Sequence, residues 1–261
     1  MKELGRVGIL VAATIVPALD CSNSPTPNGT SVQRVLDPGT SAASTSTGRG
    51  SLEGEVLFRG SDPPRSTRVR NTTDPSGCGP SQSLENILIS GQNSGIQNVI
   101  VSLEGVPPSA HGPVPTSRLL LENRDCRFQP HAGVLTTGSA IEAVNRDAVF
   151  HSVHLYGPRN LNLALGPGQS KQVRVVKHAG LIVVKCDVHG WMQAFFRVDE
   201  HPYHSVSDVH GGFRIENIPS GSYRLEAWHE YFGRQQTAVT IPPGTVSRVT
   251  LYYGEKPRFA K

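Results

Sequence analysis

LIVVKCDVHGWMQAFFRVDE, residues 181–200, decides how the chain folds. An apolar run, LIVVK, leads into Cys186. A loop from Cys186 to Met192 follows, and then a second apolar run, AFFRV. Two short runs rich in β-branched and aromatic residues, joined by a tight Gly-containing loop, read as two neighbouring strands. The loop carries a thiol (Cys186), an imidazole (His189) and a thioether (Met192) at three-residue intervals. From the spacing alone three uses stay open: core packing, a redox thiol, or ligands for one metal.

The same strand-and-turn rhythm runs outward in both directions. SLEGEVLFRG (51–60), LENILIS (84–90), IQNVIVSLEG (96–105), RLLLEN (118–123), GVLTTGSAIEAVN (133–145) and VFHSVHLYG (149–157) precede the stretch. GGFRIENIP (211–219), SGSYRLEAWHE (220–230), RQQTAVTIPPG (234–244) and TVSRVTLYYG (245–254) follow it. No segment longer than ten residues carries a helical stripe. With 27 Gly and 20 Pro in 261 residues, short strands and many turns predict an all-β class built from β-sandwiches. The pattern breaks at HPYHS, which places a boundary near 201–206. The unit from there to 254 is short for a stable core and is expected to pack on the first or to borrow strands from 51–60.

The N-terminus reads as an export signal over 1–20: Lys2 and Arg6, then the apolar GILVAATIVPAL. Pro17 and the short length argue against a spanning helix, so the mature chain is expected to have none. Cys21 follows Ala18-Leu19-Asp20 in a lipobox-like context in which Asp20 does not fit, leaving lipidation of Cys21 and simple cleavage both open. Residues 21–50, rich in Ser, Thr and Pro, read as a disordered tether. The remaining spans are an opening strand and loop (51–83), a β domain that holds the Cys186 loop (84–200), a second β module (201–254) and a tail (255–261). A net charge of +4 with no block of five like charges gives no reason to expect nucleic acid.

Four cysteines allow three pairings. Cys78 and Cys126 lie in polar, turn-like contexts, as disulfide cysteines often do. Cys186, beside a histidine and a methionine, reads as the free one, with a disulfide to Cys78 or Cys126 as the alternative.

In VFHSVHLYG, side chains alternate faces, so His151 shares the apolar face with Val153 and Leu155. Phe150, Ser152, His154 and Tyr156 take the other. A lone histidine on such a face is ordinarily a hydrogen-bonded core residue. Beside Cys186, His189 and Met192 it becomes the fourth donor of a set that suits copper: a soft thiolate, two imidazoles and a weak axial thioether. Structural zinc would ask for four strong Cys or His ligands. No Gly-x-Ser-x-Gly or His-Glu-x-x-His motif points to hydrolysis.

With these residues in order, the chain resembles the cupredoxins, the blue-copper β-sandwich family, over about 84–199. NRDAVFHSVHLYG resembles the segment of the first histidine ligand, and KCDVHGWM the C-terminal ligand loop of the short-loop members. The resemblance implies a Greek-key sandwich, copper held by His151, Cys186, His189 and Met192, and single-electron transfer with His189 as the exit edge. Ser152 stands where many members carry an asparagine that braces the loop. A redox partner protein such as a cytochrome or oxidase is implied, rather than catalysis by the chain itself. SDVHGGFRIENIPSGSYRLEAWHE (207–230), with SLEGEVLFRG, resembles carboxypeptidase-regulatory-like (transthyretin-like) modules of bacterial surface proteins. Two other functions stay open: a surface module that stores or delivers copper, and a non-redox adhesion or carbohydrate-binding protein. His154 is read as an exposed strand residue, a fifth donor or a point where electrons arrive. His201, His204, His210 and His229 are read as surface or structural residues, or as a second metal site.

Overall fold

Eighteen strands build the computed structural model, which describes residues 48–113, 118–174 and 178–254. The expected signal, Cys21, most of the tether and the tail lie outside the described residues. Within the described part, the tether ends earlier than expected, because the first strand begins at Arg49.

The strands are β1 (Arg49–Arg59), β2 (Arg68–Arg70), β3 (Ser81–Ser83), β4 (Ile100–Glu104), β5 (Arg118–Arg124), β6 (Arg127–Gln129), β7 (Ala132–Thr136), β8 (Ala140–Asn145) and β9 (His151–Tyr156). They continue as β10 (Leu161–Leu165), β11 (Ser170–Arg174), β12 (Gly180–Lys185), β13 (Gln193–Asp199), β14 (His204–Val206), β15 (Gly212–Pro219), β16 (Gly221–His229), β17 (Gly233–Ile241) and β18 (Val246–Gly254). A one-turn helix, α1 (Pro75–Cys78), lies between β2 and β3. The class is all-β, as the sequence predicts. No helix among the described residues is long and apolar enough to cross a membrane.

Strands β5 to β13 form one sandwich. A five-stranded sheet, β10-β9-β12-β13-β7, faces a four-stranded sheet, β11-β8-β5-β6. The inward faces of Leu121, Phe128, Leu135, Ile141, Val153, Leu155, Ile182, Val184 and Phe196 share one core. Each such side chain contributes about 1.5–3 kcal/mol on burial. The pleat decides what else points inward. His151 continues the Val153–Leu155 face of β9, and Cys186 continues the Ile182–Val184 face of β12.

A second sandwich packs β15-β1-β18 on β14-β4-β16-β17 around Leu52, Val56, Ile96, Val101, Leu103, Ile215, Leu225 and Ile241. Here β1 sits between two of the last strands, antiparallel to β15 and parallel to β18. The 84–200 span therefore needs correction. Strand β4 pairs with β14 and β16, so it belongs to the second sandwich. Residues 84–98 contribute only isolated bridges, Leu57 to Gly95 and Ile89 to Ile96. The reason is that β4 is buried on both faces. Val101 and Leu103 enter the second core, while Ile100 joins Ala132 and Phe195 between the sandwiches. A strand apolar on both sides carries no mark of its partner. The sandwich of β5 to β13 is thus an insertion between β4 and β14.

A polar cluster lies next to that apolar seam. Asp199, at the end of β13, accepts hydrogen bonds from Ser102 Oγ at 2.8 Å and Arg197 Nε at 2.8 Å, and pairs with His204 Nδ1 at 2.9 Å. Arg197 reaches across to Glu226 at 2.8 Å. Burial alone would raise the Asp199 pKa. The His204 bond and the Arg197 charge outweigh it and hold the carboxyl below its ordinary value. Its folded pKa therefore lies under the unfolded value of about 3.9. The stabilisation is complete above that pH and is lost as pH falls through the folded value. Asp199→Asn is expected to lower the unfolding free energy by about 3 kcal/mol at pH 7. Urea unfolding at pH 7 and at about pH 3 should show the gap to wild type shrinking on acidification.

Candidate metal centre

Antiparallel pairing of β9 with β12 matches Lys185 to His154 and Val184 to Leu155. This register carries Cys186 one step beyond the ladder, opposite Val153 and toward the His151 end of β9, where its sulfur meets Ser152 and His151. The Ser152 amide approaches the Cys186 sulfur at 3.4 Å, and the Ser152 hydroxyl accepts the Asp187 N–H at 2.8 Å. Ser152 thus braces the Cys186–Met192 loop, the role that the family resemblance gives to an asparagine. The loop then turns back on itself. Met192 N donates to the His189 carbonyl at 2.9 Å, and Cys186 N donates to the Met192 carbonyl at 3.3 Å.

The turn delivers His189 beside His151. The two Nδ1 atoms lie 3.0 Å apart, and Cys186 Sγ lies 3.7 Å from His189 Nδ1 and 4.0 Å from His151 Nδ1. A trigonal centre with metal–nitrogen bonds of about 2.0 Å and a metal–sulfur bond of about 2.3 Å needs donor separations of about 3.5 Å and 3.7 Å. The observed triangle is within about 0.5 Å of that shape. His151 and His189 have no exposed surface and Cys186 is 3% exposed. Met192 is buried in the same apolar cluster as Cys186.

The outer nitrogens explain the orientation. His151 Nε2 meets Asp147 Oδ2 at 2.9 Å, and His189 Nε2 meets Asp74 Oδ2 at 3.2 Å. A carboxylate at Nε2 fixes the proton there and leaves the lone pair on Nδ1. Burial also pushes the His151 pKa down, against the opposing pull of Asp147, which favours the neutral ring. Two Nδ1 lone pairs then face each other in a dry interior, next to a sulfur. Only a cation or a shared proton between them removes that repulsion. The donor set and its tautomers therefore fit a soft, thiolate-binding metal ion such as copper.

Asp147 has a second task. Its Oδ1 accepts Asp125 N–H at 2.8 Å and its Oδ2 accepts Cys126 N–H at 3.0 Å. Asp125 and Cys126 form the two-residue turn between β5 and β6, both in the left-handed region (φ 56° and 54°). That is the geometry of a type I′ hairpin, in which Gly or Asn is the usual residue. The carboxylate holds it closed. Asn145, fully buried, shapes the Asp147 loop by donating to Val149 and Leu165 carbonyls and accepting Asp147 N–H at 2.9 Å. Neither Asp147 nor Asn145 was singled out from the sequence. Asp147, four residues before His151, is the one of the two with a local signal.

Cys78 and Cys126 form a disulfide, and among the described residues Cys186 is the free cysteine. The exposed-edge role of His189 needs correction: the ring is fully buried, with Asp74 at Nε2 and the Trp191 ring 5.0 Å away. His154 points to the other side of β9. It meets Asp187 at 3.1 Å and stacks on Tyr156, and it is not among the clustered donors. Among the described residues, His201, His204, His210 and His229 join no cluster of three metal-binding side chains. Truncation of Asp147 to alanine is expected to weaken copper binding about 10- to 100-fold, as read by titration against a competing chelator.

No family model matches the chain, and no curated protein matches it. Among solved structures, it is similar to a copper-containing nitrite reductase from Thermus scotoductus, at 22% identity over 33% of this chain and 23% of that one, with a TM-score of 0.29. It is also similar to a reduced Cu(I) form of an amicyanin variant, at 18% identity over 38% of this chain and 98% of that one, TM-score 0.29. A purple cupredoxin from Nitrosopumilus maritimus shows 17% identity over 31% and 99%, TM-score 0.27. The chain spans about a quarter of the length of the nitrite reductase.

Proposed function

We propose that the chain is an exported, mononuclear copper protein that carries single electrons to or from a partner protein such as a cytochrome or an oxidase. The observation that carries this reading is the buried triangle of His151 Nδ1, His189 Nδ1 and Cys186 Sγ, with both outer nitrogens held by carboxylates. Bound copper supplies a one-electron couple between Cu(II) and Cu(I). Cys186 would bind as the thiolate and the two neutral imidazoles would complete a plane. Met192, from the same loop, would be the weak fourth donor.

Enclosure supports electron transfer over exchange or turnover. All four side chains are buried, and Cys186 and Met192 belong to the apolar core of the sandwich. Such enclosure keeps bulk water off a centre and favours one geometry in both oxidation states. Export has two supports. The N-terminal segment has the composition of a signal, and a disulfide such as Cys78–Cys126 persists in an oxidising compartment. Lipidation at Cys21 would tether the protein to a membrane surface. The second sandwich, with its likeness to carboxypeptidase-regulatory-like modules, is read as an accessory surface module.

Adding Cu(II) to the purified chain, with Cys186→Ala beside it, tests the reading. An intense visible thiolate-to-copper band with narrow copper hyperfine splitting is expected, and it should be absent in the variant. A pale spectrum unchanged by the substitution would remove Cys186 as a ligand and overturn the assignment.

A further inference from the structure

The carboxylate on His189 does not belong to the sandwich that carries the metal-binding residues. Asp74 lies 115 residues upstream, between β2 and β3. Its loop is closed on itself by Asn71, which is buried. The Asn71 side chain accepts Thr73 N–H at 2.9 Å and donates to the Gly79 carbonyl at 2.6 Å. Asp74 adopts a left-handed conformation (φ 53°), and its carbonyl accepts from Gly77 and Cys78, starting α1. Gly77 lies so close to the Asp147 loop that a Cβ there would fall 2.3 Å from Val149 Cγ1. Closeness of this kind explains the glycine.

The disulfide ties this loop to the other side of the centre. Cys78 follows Asp74 by one helical turn, and its sulfur is 3.8 Å from His189 Nε2. Its partner, Cys126, lies in the β5–β6 turn whose amides hold Asp147. The Cys126 carbonyl also accepts the indole N–H of Trp191, in the ligand loop, at 3.0 Å. One covalent bond thus joins the two turns that supply, or hold, the outer carboxylates of both imidazoles. Among the described residues, three of the six left-handed residues other than glycine, Asp74, Asp125 and Cys126, gather here. Such conformations persist where surrounding structure enforces them, and they concentrate at functional sites.

We propose that Asp74 is a positioning residue of the metal centre, and that the Cys78–Cys126 disulfide keeps residues 71–82 clamped over His189. The proposal rests on reading His151, Cys186 and His189 as ligands. The clamp keeps the His189 proton on Nε2, aims Nδ1 at Cys186, and closes the ring edge that would otherwise face water. Release of metal then requires the clamp to lift.

Three forms of the full chain, Asp74→Ala, Asp74→Asn and Cys78→Ser with Cys126→Ser, test this against wild type. Copper affinity and the rate of copper loss to excess chelator are measured in each. The metal-free proteins are also treated with diethylpyrocarbonate, with His189 modification mapped by mass spectrometry and thermal midpoints recorded. Asp74→Ala is expected to weaken affinity and hasten copper loss about 10- to 100-fold, and to expose His189 to the reagent. Asp74→Asn, which keeps an oxygen acceptor for Nε2–H, should recover part of the affinity, and the double serine form should resemble Asp74→Ala. Unchanged affinity, release and His189 modification in Asp74→Ala would overturn the clamp, as would a fall in thermal midpoint with affinity unmoved. Accelerated His189 modification in a chain that never forms a copper–thiolate band would keep the clamp and sink the metal reading instead.

Discussion

Two imidazole nitrogens 3.0 Å apart in a dry interior, each with its proton held on the far side by a carboxylate, need a positive charge between them. Much of the molecule's local structure serves this arrangement. The β9–β12 register sets Cys186 against the start of β9, the Ser152 hydroxyl pins the loop after it, and the tight turn to Met192 returns His189 over the sulfur. Asn145 shapes the loop that offers Asp147, and the left-handed β5–β6 turn is tied to the same carboxylate. The polar groups around the centre thus satisfy one another while the ring nitrogens that face inward are left for a ligand.

The second sandwich packs along an apolar seam against the one that holds this centre. Its sheets are not built from residues 201–254 alone: they are completed by β1 and β4, which both precede the insertion. The inserted sandwich therefore enters and leaves through neighbours in one sheet, β4 and β14. Ile100, Ala132, Phe195 and Trp228 fill the seam apolarly, and the Asp199–Arg197–Glu226 cluster fixes its register through charge. A packed seam that holds β13 also holds the far end of the ligand loop, because β13 begins directly after Met192.

What was legible in the sequence follows the period of the strand. His151 could be placed on an inward face because alternation marks that face, and Cys186, His189 and Met192 could be grouped because one short loop after an apolar strand carries all three. The partners that orient the imidazoles carried weaker marks. Asp147 lies four residues before His151, a local signal that could have been read. Asp74 lies in a polar turn, DPSGC, with nothing in its neighbourhood to indicate that it meets a residue 115 positions away. The burial of His189 was missed for that reason: a ring on an apolar loop end faces solvent unless a distant segment covers it. Likewise β4, apolar on both sides, joined the sheet that long-range pairing offered and not the one nearest in sequence.

The central claim is that copper binds through one sulfur and two imidazole nitrogens of this triangle. X-ray absorption at the copper edge of the loaded chain measures that directly. The account predicts a short shell of one sulfur and two nitrogens, with the outer-shell scattering of two imidazole rings. A shell of nitrogen and oxygen with no sulfur would contradict it.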